Sequence, residues 1–177
     1  MTIMQYAIAM YEGTASNIKN ADILRPLAQE IIYELINRGY NVNDIWSMGI
    51  SSCNNIMIYS YPKALRLFLD KGAEPNFIFN RTSGSSNWGM WTPLNLAVEF
   101  YNLNNIQNTI EILLEYGADI NKKSYINNPF AGLSLHTPKT ARNGLYNPLS
   151  IAMENAATRG DHFLKIVEFL LEHGAIL

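Results

Sequence analysis

Four times in this chain a pair of large apolar residues, two polar residues and a glycine follow one another, and that recurrence limits the fold more than any bulk property. The fullest copy is IEILLEYGADIN, residues 110–121, which ends in a short tail closed by asparagine. It returns as LINRGYNVN at 35–43, as FLDKGAEPN at 68–76 and, without the tail, as LLEHGAIL at 170–177. An apolar pair one turn before a glycine reads as a helix that buries one face and then stops, because glycine takes the left-handed conformation that ends helices. Each copy therefore predicts a buried helix with a sharp exit at Gly39, Gly72, Gly117 or Gly174. Asn43, Asn76 and Asn121 each stand four residues past their glycine, where an amide is expected to hydrogen-bond the turn it closes.

A second motif precedes the glycines. WTPLNLAVE at 91–99 and NPLSIAME at 147–154 place Pro93 and Pro148 where a fixed φ suits the first helical residue, with Thr92 or Asn147 positioned as the cap. TPLNLA followed by LLEYGADIN resembles the ankyrin repeat, whose unit of about 33 residues holds a turn and two helices and carries the signature T-P-L-H-x-A. The likeness extends to 147–177 and, more loosely, to 51–76, where SSCNNIM replaces the first-helix motif, and to 4–43, where MQYAIAMYEG matches by register. Ala7, Asn54, Asn95 and Ser150 stand where the family usually has histidine, so only the amides and the serine offer a hydrogen bond there. The resemblance implies an all-α fold, an ankyrin-like α-solenoid of about four helix-turn-helix repeats. It makes 1–177 one domain, with repeats near 1–43, 44–76, 77–121 and 122–177.

Repeat spacing locates the insertions. From Ser52 to Gly72 is 20 residues, whereas Gln5 to Gly39, Pro93 to Gly117 and Pro148 to Gly174 span 34, 24 and 26. TASNIKNADILR, NLNNIQN and NAATRGDHF must therefore form long turns or extended helix ends. Between units the distances are 13, 21 and 31 residues. Solenoid insertions fall in loops, often on the binding face, so 77–91 and 122–146 are expected to be two long finger loops. Second helices show helical apolar spacing at Leu27, Ile31 and Leu35, at Ile110, Leu113 and Leu114, and at Phe163, Ile166, Val167, Leu170 and Leu171. Pro26 and Pro62 read as first residues of the second helices in the first two repeats. Thr137-Pro138 imitates a repeat start, but Lys139 follows where leucine belongs, which assigns it to the loop.

A length of 177 residues fits one domain with no room for a separate catalytic one. Hydrophobic residues make up 48% and mean hydropathy is -0.05, yet no apolar run approaches a membrane span. MTIMQYAIAMYEG lacks the positive charge and the longer apolar run of a signal peptide. The single cysteine, Cys53, has no internal disulfide partner, which fits a reducing compartment and a cytoplasmic location. Ankyrin proteins with this Asn- and Ile-rich vocabulary occur in intracellular bacteria and large viruses as well as in eukaryotes, so the cytosol of a host cell is included.

Catalytic signatures are missing: no GxGxxG, P-loop, GxSxG or paired carboxylates on one face. Cys53 falls at a core position of the first-helix motif, and His136, His162 and His173 lack metal spacing. The reading is of a non-enzyme with no cofactor and no metal, whose work is to bind a partner protein through its concave, finger-loop face.

Residues for that task crowd the two fingers. The partner-binding candidates are Phe79, Arg81, Trp88, Trp91, Lys122, Lys123, Tyr125, Phe130, Lys139 and Arg142, with about half of the finger aromatics expected to pack inward. No acidic residue lies between Glu74 and Glu99 or between Asp119 and Glu154, whereas five of these cations do. The partner is accordingly expected to be acidic. A rival reading gives the basic, aromatic fingers to nucleic acid, which a pI near 5.9 and a net charge of -2 disfavour for the chain as a whole. Another makes the chain the ankyrin part of an effector secreted by an intracellular bacterium or a virus. KIVEFLLEHGAIL is as apolar as an internal unit, so either further sequence follows it or another molecule covers that end, self-association through the C-terminal repeat being one way.

Overall fold

The structure is a computed structural model that describes residues 3–12, 21–46, 62–83, 86–99, 106–128 and 142–177. Cys53, Asn54, Phe130, His136, Thr137-Pro138 and Lys139 lie outside these residues, as do the side chains of Arg81 and Trp88. Seven helices are described: α1 (Ile3–Glu12), α2 (Ala21–Asn37), α3 (Pro62–Asp70), α4 (Pro93–Glu99), α5 (Ile106–Glu115), α6 (Pro148–Arg159) and α7 (Leu164–Glu172). Short 3-10 turns occupy Val42–Trp46 and Asp161–Phe163. Helices pack as neighbours in sequence, α1 on α2, α4 on α5 and α6 on α7, and across units, α1 on α3, α3 on α5 and α4 on α6. One apolar cluster runs through these contacts, with Phe68, Leu94, Leu113, Leu149, Phe163 and Leu170 sealed from solvent.

All four glycines end helices in one geometry. Gly39, Gly72, Gly117 and Gly174 have φ of 94°, 91°, 84° and 89°. In each, the glycine N–H donates to the carbonyl three residues back and the next N–H to the carbonyl five back, as in Gly117 to Leu114 (3.0 Å) and Ala118 to Leu113 (2.9 Å). This double bond pattern satisfies carbonyls that the helix end would otherwise orphan. The residue after each of the last three glycines is a buried alanine, Ala73, Ala118 or Ala175.

The tail asparagines do not close their own turns, as the sequence reading had them do; each reaches the following unit. Asn43 Oδ1 accepts the Glu74 N–H (2.8 Å), Asn76 Oδ1 the Asp119 N–H (2.7 Å) and Asn121 Oδ1 the Ile176 N–H (2.8 Å). Asn76 and Asn121 also donate to the carbonyls of Gly117 and Gly174. Own-turn closure falls instead to the residue two after the glycine: Asn41, Glu74 and Asp119 accept the backbone N–H groups of Asn43, Asn76 and Asn121. The tail asparagine is thus held in its own turn by its backbone and left free to clasp the next by its side chain.

Helix starts follow the proline reading with one exception. Asn147 and Ser150 form a reciprocal capping box ahead of α6, and Thr92 Oγ1 accepts the Asn95 N–H (3.1 Å) at the start of α4. Pro62 opens α3, but Pro26 lies inside α2, which begins at Ala21. Only the first four N–H groups of a helix lack an internal partner, so Pro26, the sixth residue, forgoes one helical hydrogen bond to the carbonyl four residues back. The long 148–174 unit places its excess in α6, which runs to Arg159 before Gly160 breaks it.

The all-α expectation needs correction at the fingers. They form strands β1 (Phe79–Ser83), β2 (Ser86–Trp91), β3 (Ser124–Asn128) and β4 (Arg142–Tyr146), joined as one antiparallel sheet in that order. Each insertion pairs with itself, Phe79 with Trp91 and Tyr125 with Leu145, and the two insertions meet at Gly89 and Ile126. Extended chain carries backbone donors and acceptors that need partners, and two insertions carried on consecutive units supply them to each other. At the junction Gly89 has φ of 92°, and a Cβ there would lie 2.3 Å from the Tyr125 carbonyl oxygen. Only glycine lets β2 and β3 approach this closely.

Candidate partner-binding site

Alternation along the strands divides the sheet into two faces. The inner face holds Phe79, Trp91, Ser124, Ile126 and Arg142, all buried. Asn95 of α4 ties this face down, its amide donating to Ser124 Oγ (2.7 Å) and to the Tyr146 carbonyl (3.1 Å). The asparagine that stands in the motif's histidine position thus makes a hydrogen bond from helix to finger.

Arg142 is the main anchor. Its guanidinium is fully buried and bonds Glu99 at the end of α4, Glu154 on α6 and Asn155 Oδ1 (2.8 Å). Glu99 is also fully buried, and its backbone carbonyl and carboxylate receive Arg159 Nη1 at 2.7 and 3.5 Å. Burial alone would lower the pKa of Arg142, but the charge of Glu99 and the bond and charge of Glu154 outweigh it and hold the group above its ordinary value. Arg159 goes the other way: burial lowers it, Glu99 offsets only part, and Arg142 repels it. Sequence reading placed Arg142 among the exposed cations, and the structure corrects this. The acid-free span was counted along the chain, whereas Glu99 and Glu154, which bound the two spans, fold onto it.

The ten candidates therefore separate. Phe79, Trp91 and Arg142 face the interior and cannot touch a partner in this conformation. Tyr125 and Lys123 are exposed and Lys122 is half-buried at the entry to β3. Arg81 and Trp88 belong to β1 and β2, and Phe130 and Lys139 lie outside the described residues. Leu145, 68% exposed, was not singled out in the sequence. Its signal was the alternation across Arg142 to Tyr146, which in a span read as loop carried no weight.

Among the described residues, no group of three or more His, Cys, Asp and Glu is placed to hold a metal ion, and no helix is long and apolar enough to cross a membrane. His162 and His173 are exposed, the latter capping α7 with its ring against Phe169.

Paired helices ending in one glycine turn, with strands projecting between units, define a mostly helical repeat protein with a small antiparallel sheet. Residues 90–125, from the end of β2 through α4 and α5 into β3, match the family model of the ankyrin repeat. No curated protein and no solved structure matches it.

Proposed function

We propose that this chain is a non-catalytic module that binds a partner protein, and that the finger sheet belongs to its binding surface. Ankyrin repeats generally mediate protein–protein interaction. One observation carries the finer reading: the second insertion is fixed to the helices from its inner face by Asn95 and Arg142, and the first by the buried rings of Phe79 and Trp91, while Asn80, Met90, Tyr125 and Leu145 of the outer face stay open to solvent. In this reading the whole chain is one α-solenoid domain with units near 1–43, 44–76, 77–121 and 122–177, working in the cytosol of its own or a host cell. Lys122 and Lys123, with Arg81, Trp88, Tyr125, Phe130 and Lys139, form the contact set, and the basic fingers favour an acidic partner. Affinity capture with the intact chain, beside a version with 129–141 shortened, tests this. A nuclease-resistant protein retained by the first and lost by the second supports it; retention of RNA or DNA alone would transfer the fingers to nucleic acid.

The C-terminal unit adds self-association to the proposal. Met153 is 44% and Leu171 53% exposed, while the corresponding Val98 and Leu69 of earlier units are buried beneath the next helices. Light scattering on a concentrated sample checks it: a mass near 20 kDa at every concentration removes self-association from the proposal.

A further inference from the structure

The two fingers share one outward row. Asn80 pairs with Met90, Tyr125 pairs with Leu145, and antiparallel continuation of the Gly89–Ile126 register sets Met90 beside Tyr125. All four residues are exposed, Tyr125 by 47% and Leu145 by 68%. Met90, Tyr125 and Leu145 thus make an apolar strip that crosses three strands and both insertions. Tyr125 is held upright by its hydroxyl, which donates to Asn143 Oδ1 (2.5 Å) on β4. Solvent-facing sheet residues are ordinarily polar, so such a strip marks a surface that is covered in use.

The surrounding charge states what covers it. None of the four strands contains an acidic residue. The nearest carboxylates in sequence, Glu74 and Asp119, are engaged as acceptors of their own turns, and Glu99 and Glu154 hold Arg142. Lys122 and Lys123 have no such inward partner among the described bonds and enter β3 directly beside Tyr125. An apolar strip bordered by cations and emptied of acids fits a segment with the opposite arrangement. Among the three described strip residues only Tyr125 is aromatic, whereas nucleic-acid bases rely on successive aromatic platforms.

We propose that the outer face of the four-stranded sheet is a single docking platform for a protein segment that presents an aliphatic or aromatic side chain between acidic residues. This rests on the protein-binding reading above and specifies its face and its partner chemistry. The apolar side chain lies across Met90, Tyr125 and Leu145, and the flanking carboxylates meet Lys122 and Lys123. Both insertions are needed, and Gly89 joins them: a side chain there would push β2 from β3 and divide the strip.

Panning a random-peptide display library on the intact chain provides the probe, with an enriched sequence then synthesised for titration. Enriched peptides should carry a large apolar residue flanked by Asp or Glu. Leu145→Asp, at an exposed position that leaves the core untouched, should weaken the peptide roughly thirtyfold, the loss typical of a central anchor. Reversing Lys122 and Lys123 to Glu should weaken it about tenfold at low salt and much less at high salt. Gly89→Ala should reduce binding while helix content, read by circular dichroism, stays at the wild-type level. Enrichment of basic peptides, affinity indifferent to Leu145→Asp, or no enrichment at all would overturn the platform. A peptide that binds but ignores every sheet variant leaves the chain a protein-binding module with its site elsewhere. Failure of affinity capture to retain any protein would remove the module reading itself.

Discussion

The glycine turns and the finger sheet are built from opposite kinds of information. Four turns, spread from Gly39 to Gly174, agree in φ to within ten degrees and in both hydrogen bonds. Everything each needs lies within six residues: an apolar pair that fixes the helix, and a glycine without the steric penalty of a left-handed conformation. The sheet has no such local cause. Its decisive contact joins Gly89 to Ile126, on either side of a complete helix pair, and exists only because two units are already stacked. Local geometry repeats where its sequence repeats; the sheet arises from the positions to which the helices carry it.

If the sheet depends on the stack in this way, the strongest disturbance should come from the group that connects them. Arg142→Met removes the cation between Glu99 and Glu154 and leaves buried Glu99 with the more distant Arg159 (3.5 Å) and the amide of Asn155 (3.4 Å). Breaking one side of a buried pair costs about 3–5 kcal/mol, and urea denaturation should show a loss of that size. Adding Glu99→Gln should recover part of it, since the uncompensated charge goes with it. A loss below about 1 kcal/mol for the single variant would mean that the buried network is not what holds the fingers.

Next in size are Leu113→Ala and Leu170→Ala, equivalent residues four before their glycines and both sealed from solvent. Each should cost roughly 2–5 kcal/mol through lost burial and the cavity left behind. Two large losses at repeat-equivalent positions would support the repeat register; a small loss at one alone would break the equivalence of the units.

Much of this contrast was legible in the sequence, and what was not has physical causes. Helix ends, capping by Asn147 and Thr92, and the start of α3 at Pro62 follow from residue types at fixed offsets. Pro26 misled because proline marks the beginning of a helix without fixing how many residues precede it. The tail asparagines were found by spacing but assigned to the wrong partner, since the offset shows that an amide is present and says nothing of which turn it reaches. Arg142 was misjudged for the same reason on a larger scale: charge counted along a loop ignores acids that folding brings beside it. Phe79, Trp91 and Tyr125 divided as alternation demands, but without knowing that 79–83, 86–91, 124–128 and 142–146 were strands there was no period against which to read Leu145.

A smaller effect probes the asparagine clasp. Asn76 makes two described bonds into the next turn and Asn43 one. With a net worth of about 0.5–1.5 kcal/mol per hydrogen bond, Asn76→Ala should cost about 1–2 kcal/mol and Asn43→Ala about half as much. Equal losses would point to a shared property of the tail, such as backbone preference, in place of the clasp.

The smallest expected effect on stability is also the sharpest contrast with Arg142, because Lys122 and Lys123 belong to the same basic insertion yet remain at the surface. Reversing both to Glu should move the denaturation midpoint by no more than about 0.5 kcal/mol, as surface changes away from buried networks do. Screened charges at the rim of an interface act mainly on encounter, so the reversal should slow association with a bound protein partner and leave dissociation nearly unchanged. Raising salt on the unaltered chain should act in the same direction, since exposed charges lose their reach as the Debye length falls to about 8 Å at physiological strength. Surface plasmon resonance separates the two rates. A reversal that destabilises the fold as Arg142→Met does would show that these lysines are also tied inward. One that changes dissociation instead of association would place them inside the contact, where desolvation, and not steering, sets their role.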